Sequence, residues 1–389
     1  MKDIKALELF VEEHKEETVE LVKQLTSIPA PSHHEDEKAA FVLNWLKKQG
    51  AGAAFIDEVK NVQFAYGCEE GKDIVVYMAH LDVVFPDTQT FTVTEKDGKL
   101  FAPGIKDDNA DLTNMLMCIK YLLTYKPELS VGLLFVANSC EEGLGNLKGS
   151  KKIYDMYKGR IREMISFDGN LDRIVNKAVG SLRYRVTVKT EGGHSYNAFG
   201  NKNAIYELSR IICDLYQVKL PTKAKTTYNV GSIEGGTSVN TIAESASMLY
   251  EFRSEDKYCL RIMEVAFENI IERYLKEGLD IKIEVLGARP CGSGVDEEEL
   301  KALTQKHMDI IKQFTDREVR INSGSTDANT FLSHGIPSVV IGTVIGGGTH
   351  TRAEWIEKDT LVPGQKIGLA SVLSYEVLPY MEMKKDRTR

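Results

Sequence analysis

The sequence predicts an α/β fold in which a mixed, mostly parallel sheet lies between helices, with a smaller α+β unit inserted into it. Three observations predict this fold. Short apolar runs alternate with segments of helical periodicity, which is typical of a parallel sheet covered on both sides. After residue 178 apolar and polar residues alternate, which indicates strands with one face in water. The first pattern returns after residue 288.

The elements of the larger unit follow from the spacing of its apolar residues. Residues 74–79 and 131–138 are almost continuously apolar, so we expect strands that are buried on both faces. Residues 164–167 give a further buried strand, and residues 110–125 have the spacing of a helix. A helix over residues 361–380 is predicted to close the chain.

The inserted unit covers residues 179–288 by the same criterion. Its segments follow the order strand, helix, two strands, helix, strand, which is typical of a ferredoxin-like α+β sandwich. Residues 1–178 and 289–389 are then predicted to form one domain around it. A chain of 389 residues is long enough for two such cores.

Composition excludes several classes of protein. The net charge of −8 argues against a nucleic-acid partner, because phosphate binding needs a basic face. The six cysteines are scattered without a C-x-x-C pair, which favours reduced thiols over a disulfide framework. The N-terminal segment is amphipathic and charged, unlike a secretory signal, and no apolar run reaches the length of a membrane span. We therefore expect a cytoplasmic protein that binds neither nucleic acid nor membrane.

Polar residues cluster where the predicted strands end, which is where ligands bind in an open parallel sheet. Two histidines and several acids at one edge would repel each other unless cations lay among them. Zinc accepts this mixture of nitrogen and oxygen ligands, and two ions need about this many. The residues are His80, Asp82, Asp107, Asp108, Glu141, Glu142, Asp168 and His350.

The order of these motifs resembles that of the two-zinc exopeptidases and acyl-amino-acid hydrolases related to peptidase T, aminoacylase and carboxypeptidase G. The pattern of that family is H-x-D, D-D after a glycine, E-E, a single acid and a distant histidine. The match covers nearly the whole chain, including the inserted unit. The resemblance implies the fold of the zinc exopeptidases, with the inserted unit acting as a lid and dimerisation domain of a homodimer.

The resemblance also implies a set of metal ligands. Asp107 bridges two Zn²⁺ ions, for which Co²⁺ or Mn²⁺ are alternatives. His80 and Asp168 complete the ligands of one ion, and Glu142 and His350 those of the other.

Two further residues of this edge receive catalytic roles from the resemblance. Glu141 is the general base, which takes a proton from the metal-bridging water and passes it to the leaving amine. Asp82 orients the ring of the ligand His80. The peptide bond between Asp107 and Asp108 is expected to be cis.

The inserted unit is expected to contribute side chains as well. His194 resembles the family histidine that reaches the oxyanion in the partner subunit's site, so it is predicted to act in trans. Asn240 and Arg253 resemble a substrate-binding asparagine and arginine, and an arginine fork suits a carboxylate. Asp327 either lines the substrate pocket or caps a helix.

The chain departs from the family pattern after the paired aspartates, where Asn109 and Ala110 replace a frequent Lys-Gly. A rival motif is the glycine-rich segment 143–149, which resembles a dinucleotide-binding loop. Because two glutamates separate it from its strand and would repel a pyrophosphate, we do not favour an NAD enzyme. No G-x-S-x-G motif supplies a serine nucleophile. A binding protein without turnover is the third class, and nothing in the sequence favours it.

The residue at position 168 bears on the substrate. In the family an aspartate there is usual in aminopeptidases and dipeptidases, and a glutamate in deacetylases, acylases and carboxypeptidases. Asp168 therefore indicates an aminopeptidase that acts on short peptides. The alternative is hydrolysis of an N-acyl amino acid by the same site.

Overall fold

The helices of the protein pack mainly against an eight-stranded sheet and a four-stranded sheet, the main two of four sheets in the computed structural model, which describes residues 4–377. Within this range they are α1 (Ile4–Ser27), α2 (Asp36–Lys48), α3 (Ala110–Tyr125), α4 (Lys148–Tyr157), α5 (Ala204–Leu215), α6 (Lys257–Lys276), α7 (Glu297–Phe314), α8 (Ala328–Ser333) and α9 (Leu361–Leu373). None of these helices is both long enough and apolar enough to cross a membrane.

The four long strands of the inserted unit have ten residues each and are longer than any described strand of the larger unit. Those that precede the inserted unit are β1 (Phe55–Ile56), β2 (Val62–Tyr66), β3 (Ile74–His80), β4 (Thr94–Lys96), β5 (Lys99–Phe101), β6 (Gly132–Asn138), β7 (Ile161–Phe167) and β8 (Arg173–Ala178). The inserted unit has β9 (Gly180–Lys189), β10 (Gly193–His194), β11 (Thr226–Gly235), β12 (Thr241–Ile242), β13 (Ser245–Ser254) and β14 (Asp280–Arg289). The remaining strands are β15 (Arg320–Gly324), β16 (Ser338–Ile341), β17 (Gly346–Gly347) and β18 (Trp355–Glu357).

The main sheet has the order β1-β2-β6-β3-β7-β16-β8-β15. Strand β3 pairs in parallel with β6 and β7, and β16 pairs in parallel with β7. Antiparallel pairs occur between β2 and β6 and between β16 and β8. The predicted mixed, mostly parallel sheet is therefore confirmed.

Strand β3 shows why its sequence is continuously apolar. Its alternate residues Val75, Tyr77 and Ala79 pack into a core with α1, α3, α7 and α9. The intervening residues Ile74 and Val76 pack on the opposite face, against α4 and α8. Because side chains alternate between the faces of a strand, burial of both faces requires an apolar residue at every position.

The inserted unit is a four-stranded antiparallel sheet of order β11-β13-β9-β14. Helices α5 and α6 cover one face of this sheet, and Val186, Leu208 and Phe267 lie in their shared core. The chain order β9-α5-β11-β13-α6-β14, with short β10 and β12 between them, agrees with the predicted ferredoxin-like sandwich. The boundaries at residues 179 and 288 stay our proposal for the inserted domain.

The last helix is shorter than the sequence predicts. It was expected to reach residue 380, but α9 ends at Leu373. Glu376 forms an antiparallel β-bridge with Leu129, so the chain has already left the helix there and runs beside the segment that leads into β6. Residues 378–380 of the predicted helix lie outside the described residues.

Candidate metal centre

The predicted ligands lie at the carboxyl edge of the main sheet. His80 is the last residue of β3, Glu141 and Glu142 follow β6 after two residues, and Asp168 follows β7 directly. His350 lies in the turn after β17. Because β3, β6 and β7 run parallel, their carboxyl ends meet at one place.

The ligand atoms form adjoining groups in which each atom lies within 4.8 Å of the others. One group is His80, Asp107 and Asp168, and another is Asp107, Glu142 and His350. Nε2 of His80 is 2.9 Å from Oδ1 of Asp107, and Nε2 of His350 is 3.4 Å from its Oδ2. Asp107 thus turns one carboxylate oxygen towards each group, as a bridging ligand would.

The chemistry of these side chains fits two divalent cations. Burial, together with the neighbouring charge of Asp107, raises the pKa of Glu142 and of Asp168. Cations between the carboxylates would remove that repulsion and favour their ionised forms. Two imidazoles and three carboxylates form a nitrogen and oxygen donor set that zinc, cobalt and manganese accept. The residues therefore fit a two-metal centre.

Asp82 supports this edge in a different way from the one the sequence suggested. Nδ1 of His80 lies 2.8 Å from the backbone carbonyl of Asp82 and 3.6 Å from its carboxylate, so the carbonyl is the closer partner of the ring. The carboxylate instead accepts the backbone N–H groups of Glu141 at 2.9 Å and Glu142 at 3.0 Å. Asp82 therefore fixes the backbone of both Glu141 and Glu142.

The turn that carries Asp107 has the predicted cis peptide bond between Asp107 and Asp108. Glu354 accepts the backbone N–H groups of Lys106 at 2.8 Å and Asp107 at 2.9 Å. It is fully buried. Glu354 is thus more than 240 positions away in sequence from Asp107, whose backbone it holds. Nothing in the sequence around Glu354 distinguishes it from other glutamates.

Arg289 is a second residue that sequence reasoning missed. It ends β14, is buried, and donates from Nη2 to the backbone carbonyl of Glu141. Its Nη1 lies 3.4 Å from the Glu141 carboxylate and donates to the carbonyl of Ser325 at 3.0 Å. Burial raises the pKa of Glu141 well above its usual range, and the charge of Arg289 acts in the opposite direction. Arg289 therefore fixes the position of Glu141.

The predicted side chains of the inserted unit are not brought to the ligands in this chain. His194 is exposed, and its Nδ1 accepts the backbone N–H of Tyr196 at 3.2 Å. Asn240, also exposed, accepts a hydrogen bond from Ser238. Arg253 donates to Glu251 at 2.9 Å on the strand β13.

Asp327, in contrast, belongs to the larger unit. It is buried at the start of α8, and its side chain makes no capping hydrogen bond there. It accepts a hydrogen bond from Asn138 at 2.7 Å, at the carboxyl end of β6. Of the two roles that the sequence left open, this position favours the pocket over the helix cap.

This edge and this fold define a metal-dependent hydrolase. Residues 76–374 match the family model described as Peptidase family M20/M25/M40, and the chain belongs to this family. The family resemblance that the motifs predicted is therefore confirmed.

Individual relatives carry different activities in their names. The succinyl-diaminopimelate desuccinylase of Albidiferax ferrireducens is 26% identical over 288 residues, which cover 69% of this chain and 71% of that protein. The aminopeptidase PepT from Bacillus cereus has a similar structure, with a TM-score of 0.72 at 21% identity over 92% of this chain and 98% of that one. The YXEP protein of Bacillus subtilis, a dinuclear metal binding peptidase of the M20 family, has a TM-score of 0.62 at 15% identity, covering 94% of this chain and all (100%) of that one.

Proposed function

We propose that this protein hydrolyses the amide bond after the N-terminal residue of short peptides, with two zinc ions held by His80, Asp107, Glu142, Asp168 and His350. The observation that carries the proposal is the carboxylate of Asp107, which is shared by two adjoining groups of ligand atoms. When bound, the metal ions supply Lewis-acid activation of water and of the substrate carbonyl.

Glu141 is the proposed general base. Its side chain groups with those of His80 and Glu142, so it lies beside the proposed ions without being needed in either ligand set. Its carboxylate takes a proton from the attacking water and then donates that proton to the nitrogen of the leaving amine. Arg289 keeps the carboxylate in place through its contacts with both the side chain and the carbonyl of Glu141.

A second copy of the chain is the proposed source of the oxyanion donor His194. Large apolar side chains near it in sequence, Tyr196 and Phe199, are 84% and 90% exposed. Strand β11 forms an open edge of its sheet, and an open edge is suited to cover by a partner. These features support a homodimer through the inserted unit, in which each His194 serves the partner's centre. The cytoplasm stays the predicted compartment.

The substrate class has two candidates. Asp168 favours an aminopeptidase, because an aspartate at this position is usual in the aminopeptidases and dipeptidases that the sequence resembles. The alternative, an N-acyl amino acid, is supported by the desuccinylase relative and by Arg183, Arg253 and Arg289. Burial, with the charges of Arg289 and Arg253, lowers the pKa of Arg183. Arg183 and Arg253 both pair with Glu251, so their guanidinium groups lie close together. Such a group suits a substrate with more than one carboxylate.

Substrates with free and with acylated amino groups separate the two candidate substrate classes. The zinc-loaded protein is incubated with a tripeptide, with the same tripeptide acetylated at its N-terminus, and with N-acetyl and N-succinyl amino acids. Aminopeptidase activity predicts cleavage of the free tripeptide and loss of cleavage on acetylation. Cleavage confined to the acyl amino acids would establish the alternative and refute the aminopeptidase proposal.

A further inference from the structure

Behind the metal ligands lies a layer of three buried carboxylates, Glu35, Asp82 and Asp108, which we call the carboxylate layer. Each accepts a backbone N–H from a proposed ligand, from the proposed base Glu141 or from a residue that adjoins Glu141. The donors are Cys140 to Glu35 at 3.2 Å, Glu141 and Glu142 to Asp82 at 2.9 and 3.0 Å, and His80 to Asp108 at 2.8 Å. The layer therefore fixes the main chain on which the centre is built.

The charge of this layer is only partly compensated by hydrogen bonds. Within residues 4–377, Oδ1 of Asp108 is buried without a hydrogen-bond partner, and Oε2 of Glu35 has none either, although Nζ of the partly exposed Lys60 lies 3.7 Å from it. A buried carboxylate oxygen without a partner is costly, so a nearby positive charge is expected.

Lys38 supplies such a charge from helix α2. It is fully buried and donates from Nζ to Oδ1 of Asn109 at 2.9 Å. Burial lowers its pKa to about 7, and the charges of Asp82, Asp108 and Glu35 act in the opposite direction. Its partner Asn109 directly follows Asp108 in the chain, and Glu35 is the N-cap residue of the same helix, three residues before Lys38. The ammonium group therefore lies beside the carboxylate layer.

The position of Lys38 in its helix is unusual for a lysine. It lies four and eight residues before Val42 and Leu46, which are buried on the same face of α2. A lysine on such a face is seldom fully buried unless it is paired. Packing alone would favour an apolar residue there, so the ammonium group needs another explanation.

We propose that Lys38 is the counter-ion of the carboxylate layer and a positioning residue for the metal centre. Its charge allows Glu35, Asp82 and Asp108 to remain buried while they hold the backbone of His80, Glu141 and Glu142. This inference rests on the proposed ligand set, and it adds a residue that contacts neither the ligands nor the substrate.

The test measures zinc affinity by competition with a chromophoric chelator, and the melting temperature of the metal-stripped proteins. Lys38→Gln keeps a hydrogen-bond donor to Asn109 but removes the charge. Leu46→Ala is the control for destabilisation of the same helix face, and Lys60→Gln for loss of a partly exposed lysine 3.7 Å from Glu35. We expect Lys38→Gln to weaken zinc binding about tenfold or more, which is the usual effect of losing a residue behind a metal ligand. Both controls should stay within about threefold of wild type.

A double variant tests whether the charge itself matters. Lys38→Gln combined with Glu35→Gln removes one negative charge with the positive one and keeps an acceptor oxygen for Cys140. It should bind zinc more tightly than Lys38→Gln alone. Equal affinity of these two variants would overturn the inference, and so would wild-type affinity of Lys38→Gln or an equal loss in Leu46→Ala. If wild type itself failed to bind two zinc ions, the proposed function would fail instead.

Discussion

The side chains of the metal centre and those of the inserted unit are held in different ways. At the sheet edge His80 and Glu142 are buried, and their backbone N–H groups are bound by Asp108 and Asp82. In the inserted unit His194 is exposed and contacts the backbone of its own loop. The main sheet fixes the first set within one chain, whereas we propose that the second set acts across the contact between two subunits. Replacing a residue of the first set should therefore impair the site of the same subunit. Replacing His194 should instead impair the site of the partner subunit.

The largest effect is expected for the base. Glu141→Gln should reduce kcat by about 10²–10⁴-fold, because the amide cannot accept the proton of water. Metal content, measured by emission spectrometry, should stay at the wild-type level, since Glu141 is not a proposed ligand. Exposed Glu70→Gln is the control and should retain wild-type turnover. Retention of activity by Glu141→Gln would remove the base from the mechanism.

Exchange of subunits tests the contribution of the inserted unit. His194→Ala should lower kcat by about 10²–10³-fold, as loss of an oxyanion donor does. In an equimolar mixture of His194→Ala and Glu141→Gln subunits, half the dimers are mixed, and each mixed dimer has one complete site. Turnover should therefore recover to about a quarter of wild type. A mixture no more active than its two parents would show that His194 does not act in trans.

The grouping of candidate ligands at one sheet edge was predictable from sequence because several of them end or closely follow strands that the apolar pattern indicates. His80, Glu142 and Asp168 do so, and parallel strands bring their carboxyl ends together. Arg289, Glu354 and Lys38 were not predictable. Each is a single charged residue whose partner lies 71 or more positions away, so only the folded chain shows what it contacts. The proposed action of His194 in a partner's site involves a second copy of the chain, which no pattern within one chain describes.

Substitution of Arg289 tests how strongly turnover depends on the contact between the end of β14 and Glu141. Arg289→Met should lower kcat by about 100-fold with little change in KM, because a shift of about 1 Å in the base costs this much. The matched control is Arg185→Met on the exposed surface of β9, where the arginine pairs with Glu284. An Arg289→Met variant that raised KM alone would assign this arginine to substrate binding instead.

The smallest effect is expected for Arg253. Its guanidinium group is 37% exposed and is already paired with Glu251. Arg253→Lys keeps the charge but loses the planar fork, so KM for a substrate with a free carboxylate should rise about tenfold. The same substrate with an amidated C-terminus should bind wild type and variant alike. Equal KM changes for both substrates would exclude a carboxylate as the partner of Arg253.

Anomalous diffraction at the zinc edge tests most directly whether Asp107 bridges two metal ions. Crystals of the zinc-loaded protein should show two peaks about 3.5–4 Å apart at the carboxyl edge of the main sheet. One carboxylate oxygen of Asp107 should contact each peak, with His80 and Asp168 on one side and Glu142 and His350 on the other. A single peak, or two peaks that Asp107 does not join, would show that Asp107 does not bridge two metal ions.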